Sequence, residues 1–275
     1  MGIFDYKRRT STEVHIGNIA IGASNPIALQ SMTNTSTMDT DGSVAQCKAL
    51  ADAGADIVRL TAQGVREAGN IGVIRSQLRS LGIETPLVAD IHFNPKAAFA
   101  AAEKTEKVRI NPGNFVDPGR TFRHLEFTDE EYAAELARIN DTFGSFLDLC
   151  QRNNTAVRIG VNHGSLSDRI MSRYGDTPEG VAESAMEFLR VAHDRGFKDI
   201  VVSVKASNVV VMVNTVRLLA RRMADEGMAY PFHLGVTEAG DADDGRIKSA
   251  VGIGALLSEG IGDTIRVSLS EDPVN

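Results

Sequence analysis

The sequence predicts an α/β fold, a (β/α)8 barrel of the TIM-barrel type with a β-hairpin plugging its bottom, and three observations predict it. Short β-branched runs alternate with longer runs of helical period along nearly the whole chain, the signature of βα units and a parallel sheet. Eight strand runs can be counted, with seven helical runs between them. The length of 275 residues is near the ~250 usual for one such barrel, so residues 1–275 are expected to form a single domain.

The elements follow in order. Val14–Ile16 and Ile19–Ile21 flank Gly17-Asn18, a tight-turn pair, and form the hairpin. The barrel strands are expected at Ile27–Met32, Ile57–Thr61, Leu87–His92, Val108–Asn111, Val157–Val161, Ile200–Val204, His233–Val236 and Thr264–Ser268. Helices are expected at Ser43–Ala53, Val65–Leu81, Pro95–Glu103, Asp129–Asn153, Pro178–Arg195, Asn208–Glu226 and Asp244–Ser258. Asn94 before Pro95, Thr177 before Pro178 and Thr128 before Asp129 are suited to accept hydrogen bonds from the free N–H groups of a first turn. The eighth helix is missing or truncated, because Asn275 follows directly on the last strand and Pro273. A truncated piece of a longer chain is expected on that ground.

Composition narrows the function classes. A formal net charge of −7 disfavours nucleic acid, which rewards a basic surface. No apolar run is long enough to span a bilayer, and the polar, basic stretch from Met1 to Ser11 does not read as a secretory signal, so a cytoplasmic protein is expected. Cys47 and Cys150 lie far apart in helical runs and are expected to be buried thiols. No metal site is expected, since the histidines show no H-x-x-x-H spacing and two cysteines cannot hold a cluster.

The informative feature is a set of cations inside strands. Arg59, Arg109, Arg158, Lys205 and Arg266 each stand between apolar neighbours, so alternation sends the neighbours outward to the helices and the cation into the barrel. Unpaired charge there costs several kcal/mol or more, on the order of the penalty for burying an ion. Asp90 and Glu238 are evident internal partners, and they are outnumbered. An anionic ligand is therefore expected at the C-terminal end of the barrel, and forked arginine donors favour phosphate or diphosphate. His92, Asn111, Asn162, Thr237 and Ser268 fall at the same strand ends, while Gly113 and Gly164 would admit backbone N–H groups to an anion. Taken singly, His92 also fits a structural histidine, and Asn111 or Asn162 a turn. Glu238, in Gly-Val-Thr-Glu-Ala-Gly, is either a proton donor or base, or an ion-pair anchor.

Eight strings carry a resemblance: Ala28-Leu-Gln-Ser-Met-Thr-Asn, Ile57-Val-Arg-Leu-Thr, Ala89-Asp-Ile-His-Phe-Asn, Val108-Arg-Ile-Asn-Pro-Gly-Asn, Arg158-Ile-Gly-Val-Asn-His-Gly-Ser-Leu-Ser, Ser203-Val-Lys-Ala-Ser, His233-Leu-Gly-Val-Thr-Glu-Ala-Gly and Asp263-Thr-Ile-Arg-Val-Ser-Leu. In this order they resemble the hydroxymethylbutenyl diphosphate synthase family, most closely its three-domain form. The resemblance implies an oxidoreductase of isoprenoid biosynthesis, in the methylerythritol phosphate pathway. Its reaction is the reductive ring opening and dehydration of 2-C-methyl-D-erythritol 2,4-cyclodiphosphate to 4-hydroxy-3-methylbut-2-enyl diphosphate. It further implies that Arg59, Arg109, Arg158 and Lys205 bind the diphosphate, assisted by His92, Asn111, Asn162, Thr237 and Ser268, and that Glu238 is the catalytic carboxylate. The family's [4Fe–4S] cluster is held by three cysteines and one glutamate of a separate domain. Neither that domain nor the family's insert is in this sequence, so this chain alone is expected to be inactive. Ferredoxin or flavodoxin is the implied electron donor, and a homodimer an assembly the resemblance allows. Two competing readings predict different chemistry: a pterin-binding barrel related to dihydropteroate synthase would need fewer cations, and a non-catalytic barrel would pair them internally.

Overall fold

The computed structural model describes residues 7–117, 126–237, 239–240 and 242–275. Strands β1 (Val14–Ile16) and β2 (Ile19–Ile21) form the antiparallel hairpin, turning at Gly17, whose φ of 59° suits a residue without Cβ. The barrel strands are β3 (Ala28–Met32), β4 (Ile57–Thr61), β5 (Leu87–Asp90), β6 (Lys107–Ile110), β7 (Ala156–Asn162), β8 (Ile200–Lys205), β9 (His233–Leu234) and β10 (Thr264–Ile265). All their pairings are parallel, in the order β8-β7-β6-β5-β4-β3-β10-β9. A parallel bridge from Val202 to Phe232, the residue before β9, closes the ring.

The helices are α1 (Thr40–Asp52), α2 (Val65–Ser80), α3 (Pro95–Ala102), α4 (Pro112–Phe115), α5 (Asp129–Asn153), α6 (Asp168–Tyr174), α7 (Pro178–Asp194), α8 (Val209–Asp225) and α9 (Ala242–Ser258). No helix follows β10 among the described residues. Expected caps form: Asn94 accepts from the Lys96 N–H, Thr177 from Gly180, and Thr128 with Glu131 makes a reciprocal capping box. Helix α1 starts three residues earlier than the sequence suggests, because Asp39 accepts from the Gly42 N–H and so caps it there. Three short elements were not expected, namely α4, α6 and a 3-10 turn at His163–Ser165.

The two faces of the strands divide the apolar residues. Outward side chains such as Val58, Leu60, Ala89, Val108, Ile110, Val157 and Ile159 join the helices in one large core. The lowest inward side chains, Ala28, Ile57, Val88, Ala156 and Val201, pack with Val14, Ile16 and Ile21 of the hairpin. That second cluster is the expected plug: it seals the N-terminal end with an apolar floor. Register fixes what stands above it. With Ala28, Ile57, Val88, Ala156 and Val201 inward, alternation also turns Gln30, Arg59, Asp90, Arg158, Ser203 and Lys205 into the bore. The bore therefore rests on an apolar floor, into whose level Lys107 and Thr264 also reach, and is polar above.

Candidate functional site

The five predicted cations lie on inward-facing positions, and a sixth joins them. Lys107, the first residue of β6, is fully buried, and its Nζ lies 3.4 Å from Oε1 of Gln30 on β3, three strands away across the bore. Alternation along Lys107, Arg109 and Asn111 could have found it, but the expected strand began one residue later, at Val108.

Among the described residues Asp90 is the carboxylate that meets these cations. Its Oδ1 accepts from Arg109 Nη1 at 2.9 Å, and its Oδ2 lies 3.3 Å from Arg59 Nε and 3.3 Å from His92 Nε2. Burial alone would raise the Asp90 carboxyl, but Arg59 and Arg109 outweigh it and hold the group well below the usual carboxylate range. Arg109 also donates through Nη2 to the Gly160 carbonyl at 2.8 Å, and its Nη1 stands 2.8 Å from His92 Nε2. Arg59 approaches the Met32 sulfur at 2.8 Å, with Nη1 free of any partner among the described residues. Arg158 is fully buried, and none of its three guanidinium nitrogens has a hydrogen-bond partner among the described residues.

Such bare positive charge is self-penalising. Burial, then repulsion from Arg59 and Arg109, pushes the Arg158 guanidinium well below its ordinary value. Burial and the same kind of repulsion, from Arg59, Arg158 and Arg266, depress Lys205. Arg266 is pushed down to about 9 by burial, then by Arg59. An anion placed among these groups would reverse each shift.

Above the cations opens a cavity of about 300 Å³, lined by His92, Asn111, Asn162, Lys205 and Thr237 together with Asn114, His163 and Ser165. The structure thus brings five of the sequence-predicted residues around one space. Arg59, Arg109 and Arg158 are outside its lining and buried in the bore. Arg158 stands four residues before Asn162 on β7, roughly 13 Å lower along the strand. It is therefore deeper than a position at the strand end. Ser268 lies beyond the two-residue β10 and is not part of the lining. Glu238 falls outside the described residues. A second cavity, about 410 Å³, lies between β3, α1 and the segment after β10, and Gln30 and half-buried Arg266 are in its lining.

Two loops build the mouth, and both are held from behind. After β6, Asn111 donates through Nδ2 to Ser165 Oγ at 2.8 Å, so the β6 and β7 loops touch. Gly113 allows that contact in a way the sequence did not suggest: a Cβ there would stand 1.8 Å from the Ser165 carbonyl oxygen. Its smallness serves loop-to-loop packing, whereas a Cβ at Gly164 would meet open space. Phe115, at the end of α4, sets its ring among Phe143, Phe146 and Phe188 of α5 and α7, with centroids 5.4–6.4 Å away. Behind the β7 loop, Arg169 of α6 donates to Asp117 at 2.7 Å and pairs with Glu187 of α7, to which Tyr132 of α5 also donates. These ties were not legible as site residues, since Arg169 and Glu187 look like ordinary helix charges and neither Asp117 nor Tyr132 belongs to a strand end.

The fold is thus a barrel closed at its base by the hairpin, in which cations outnumber carboxylates among the described residues beneath a mouth of amides, imidazoles and an ammonium. The chain belongs to the family described as the GcpE TIM-barrel domain, whose model matches residues 11–275. It is 66% identical over 273 residues to the 4-hydroxy-3-methylbut-2-en-1-yl diphosphate synthase (flavodoxin) of Bacteroides fragilis, covering 99% of this chain and 44% of that protein. The enzyme of the same name from Leptospira interrogans is 55% identical over 271 residues, with 98% of this chain and 41% of that protein covered. The chain thus spans less than half the length of these curated relatives. Among solved structures, a Xanthomonas albilineans dihydropteroate synthase matches with a TM-score of 0.57 at 14% identity, over 96% of this chain and 94% of its own. A type I 3-dehydroquinate dehydratase from Clostridium difficile matches with a TM-score of 0.57 at 10% identity, over 96% and 95%. At such identities the likeness is one of fold, and the pterin-binding reading gains nothing further from it.

Proposed function

We propose that this chain is the substrate-holding barrel of a 4-hydroxy-3-methylbut-2-enyl diphosphate synthase, with a cyclic diphosphate of methylerythritol as its ligand. The observation that carries the reading is the charge imbalance of the bore, where Arg59, Arg109, Arg158, Lys205 and Arg266 face the single described carboxylate Asp90. In this reading, free nitrogens of Arg59 and Arg158 and the Lys205 ammonium donate to diphosphate oxygens. His92, Asn111, Asn162, Thr237 and Ser268 orient the ligand, and Asp90 keeps Arg59 and Arg109 in place. Binding excludes water from the lower bore, which strengthens every such contact. Glu238 supplies or takes a proton at a substrate oxygen.

The relatives' name brings flavodoxin as the electron donor, with ferredoxin as the alternative. An iron–sulfur cluster would supply the electrons at the substrate. The described residues do not fit one: Cys47 and Cys150 are buried singly on α1 and α5, and no group of three His, Cys, Asp or Glu stands ready to hold a metal among the described residues. The cluster domain therefore belongs outside this sequence in the proposal, and the chain alone does not turn substrate over.

Calorimetric titration with methylerythritol cyclodiphosphate at low and moderate salt, with inorganic diphosphate as control, tests the reading. Saturable binding that weakens with salt and favours the cyclic compound is expected. Absence of binding both to this chain and to the full-length protein would refute it.

A further inference from the structure

The diphosphate seat leaves part of the bore unexplained. Lys107, His233, Gln30, Ser203 and Thr264 are each 5% exposed or less, and none lines the mouth cavity. His233 is in register with Thr264, and Thr264 with Ala28 of the apolar floor, so both turn inward near the base. Both ring nitrogens of His233, the hydroxyls of Ser203 and Thr264, and Nε2 of Gln30 lack hydrogen-bond partners among the described residues. Lys107 has the 3.4 Å contact to Gln30 and no acidic partner within ion-pair distance among the described residues. Burying so many polar groups unmet is costly, and native interiors rarely do it.

Charge sharpens the point. Five cationic side chains occupy the bore, Lys107 included, with half-buried Arg266 at its edge, against the one described carboxylate. A cyclic diphosphate with about two negative charges in the mouth still leaves an excess of positive charge among the described residues. Burial, then Arg158 and Arg59, pushes the Lys107 ammonium well below its ordinary value. His233 is depressed by burial, then by Arg158, Lys107, Lys205 and Arg59. These two groups therefore sense one shared positive field low in the barrel, below the level of the mouth.

We infer that the base of the bore is a second anion seat, in which Lys107, Arg158 and His233 hold one small inorganic anion of the halide class. Gln30, Ser203 and Thr264 complete its donor set through Nε2 and two hydroxyls. The ligand must be small, because Lys107, Arg158, His233, Ser203 and Thr264 are each 1% exposed or less and the apolar floor residues Ala28, Val88 and Ala156 stand in register beside Thr264 and Lys107, while Gln30 alone also borders the cavity beside α1. Arg158 has capacity for two ligands, with three unpaired nitrogens. The seat does not depend on which diphosphate occupies the mouth, so its failure and the failure of the proposed function are separable.

The probe is bromide. Crystals of this chain grown in sodium bromide, measured at the bromine absorption edge, are expected to show an anomalous peak in contact with Lys107 Nζ and Arg158. Thermal melts in chloride against gluconate at fixed ionic strength are expected to show halide raising Tm by roughly 5 °C near saturation. In Lys107→Met the response should vanish, and the variant should melt higher than the wild type in gluconate, since an uncompensated buried cation is gone. Inorganic diphosphate should still bind it. A bore without bromide, or a halide response unchanged in Lys107→Met, overturns the inference and assigns halide effects to the surface. Should Lys107→Met fail to fold, the bromide map of the wild type decides alone.

Discussion

Replacing Asp90 by Asn tests whether the bore is held together by one carboxylate. The substitution keeps the shape and removes the charge that Arg109 meets at 2.9 Å and Arg59 at 3.3 Å. Both arginines are almost fully buried, so neither can turn to water for compensation. Removing one member of a buried ion pair costs about 3–5 kcal/mol, and for a domain of this size each kcal/mol lowers Tm by about 2–4 °C. A fall of roughly 10 °C is expected by calorimetry at neutral pH. The pH dependence has a definite sign. Because the folded Asp90 carboxyl lies well below its ordinary value, its contribution is complete above the unfolded pKa of about 4 and is lost as pH falls through the folded value. The gap between wild type and variant should thus be flat from about pH 6 to 8 and close only in acid. Inorganic diphosphate should narrow the gap, because an anion in the mouth replaces part of the missing charge, and it should bind the variant at least as tightly as the wild type. Equal stability of the two proteins at neutral pH, with no difference in diphosphate response, would refute the electrostatic account of the bore.

Three further outcomes follow from the same geometry. Gly113→Ala puts a Cβ 1.8 Å from the Ser165 carbonyl oxygen and must push the β6 and β7 loops apart, so diphosphate affinity should fall about tenfold or more by calorimetry while the far-UV spectrum of the barrel is kept. Arg169→Met leaves Glu187 and Asp117 without their buried cation, which should lower Tm by roughly 10 °C in calorimetric melts and weaken diphosphate binding. Arg169→Lys should recover part of both losses. Cys47, whose thiol burial pushes up to about 12, and Cys150, shifted the same way, should stay unreactive to a disulfide reagent in the native protein and react together on unfolding.

The barrel was legible because its repeating signals are local. Ile57–Thr61 and Asp129–Asn153 form with the limits that alternation and capping predict, and the cations stand out because a strand has a period of two. What escaped depends on tertiary contact. Pro112–Phe115 is four residues long and has no period to detect; it is a helix because Phe115 reaches the rings of α5 and α7. Asp168–Tyr174 hides for a similar reason, with Arg169 resembling a surface charge until Glu187 and Asp117 meet it. Lys107 and His233 each open their strand, so no earlier inward residue marks their phase. Lys107 also follows Glu106, and such a pair reads as solvated. The structure gives Glu106 to Arg75 and Arg79 instead, at 2.6 and 2.9 Å.

The stacking of the bore explains why so much charge is tolerated. The apolar floor packed by the hairpin lowers the local polarity, which makes each cation above it more costly and each contact to an anion stronger. An acid at Ser203 or Thr264, both buried and turned inward, would relieve the repulsion from within. It would also spend on an internal pair the attraction that a ligand would otherwise receive. Under the proposed function, neutral residues there make the barrel's stability respond to anions. In that same reading, the shortfall in internal negative charge among the described residues serves binding, and the fold tolerates it because the hydrophobic work is done elsewhere, in the outer core between strands and helices.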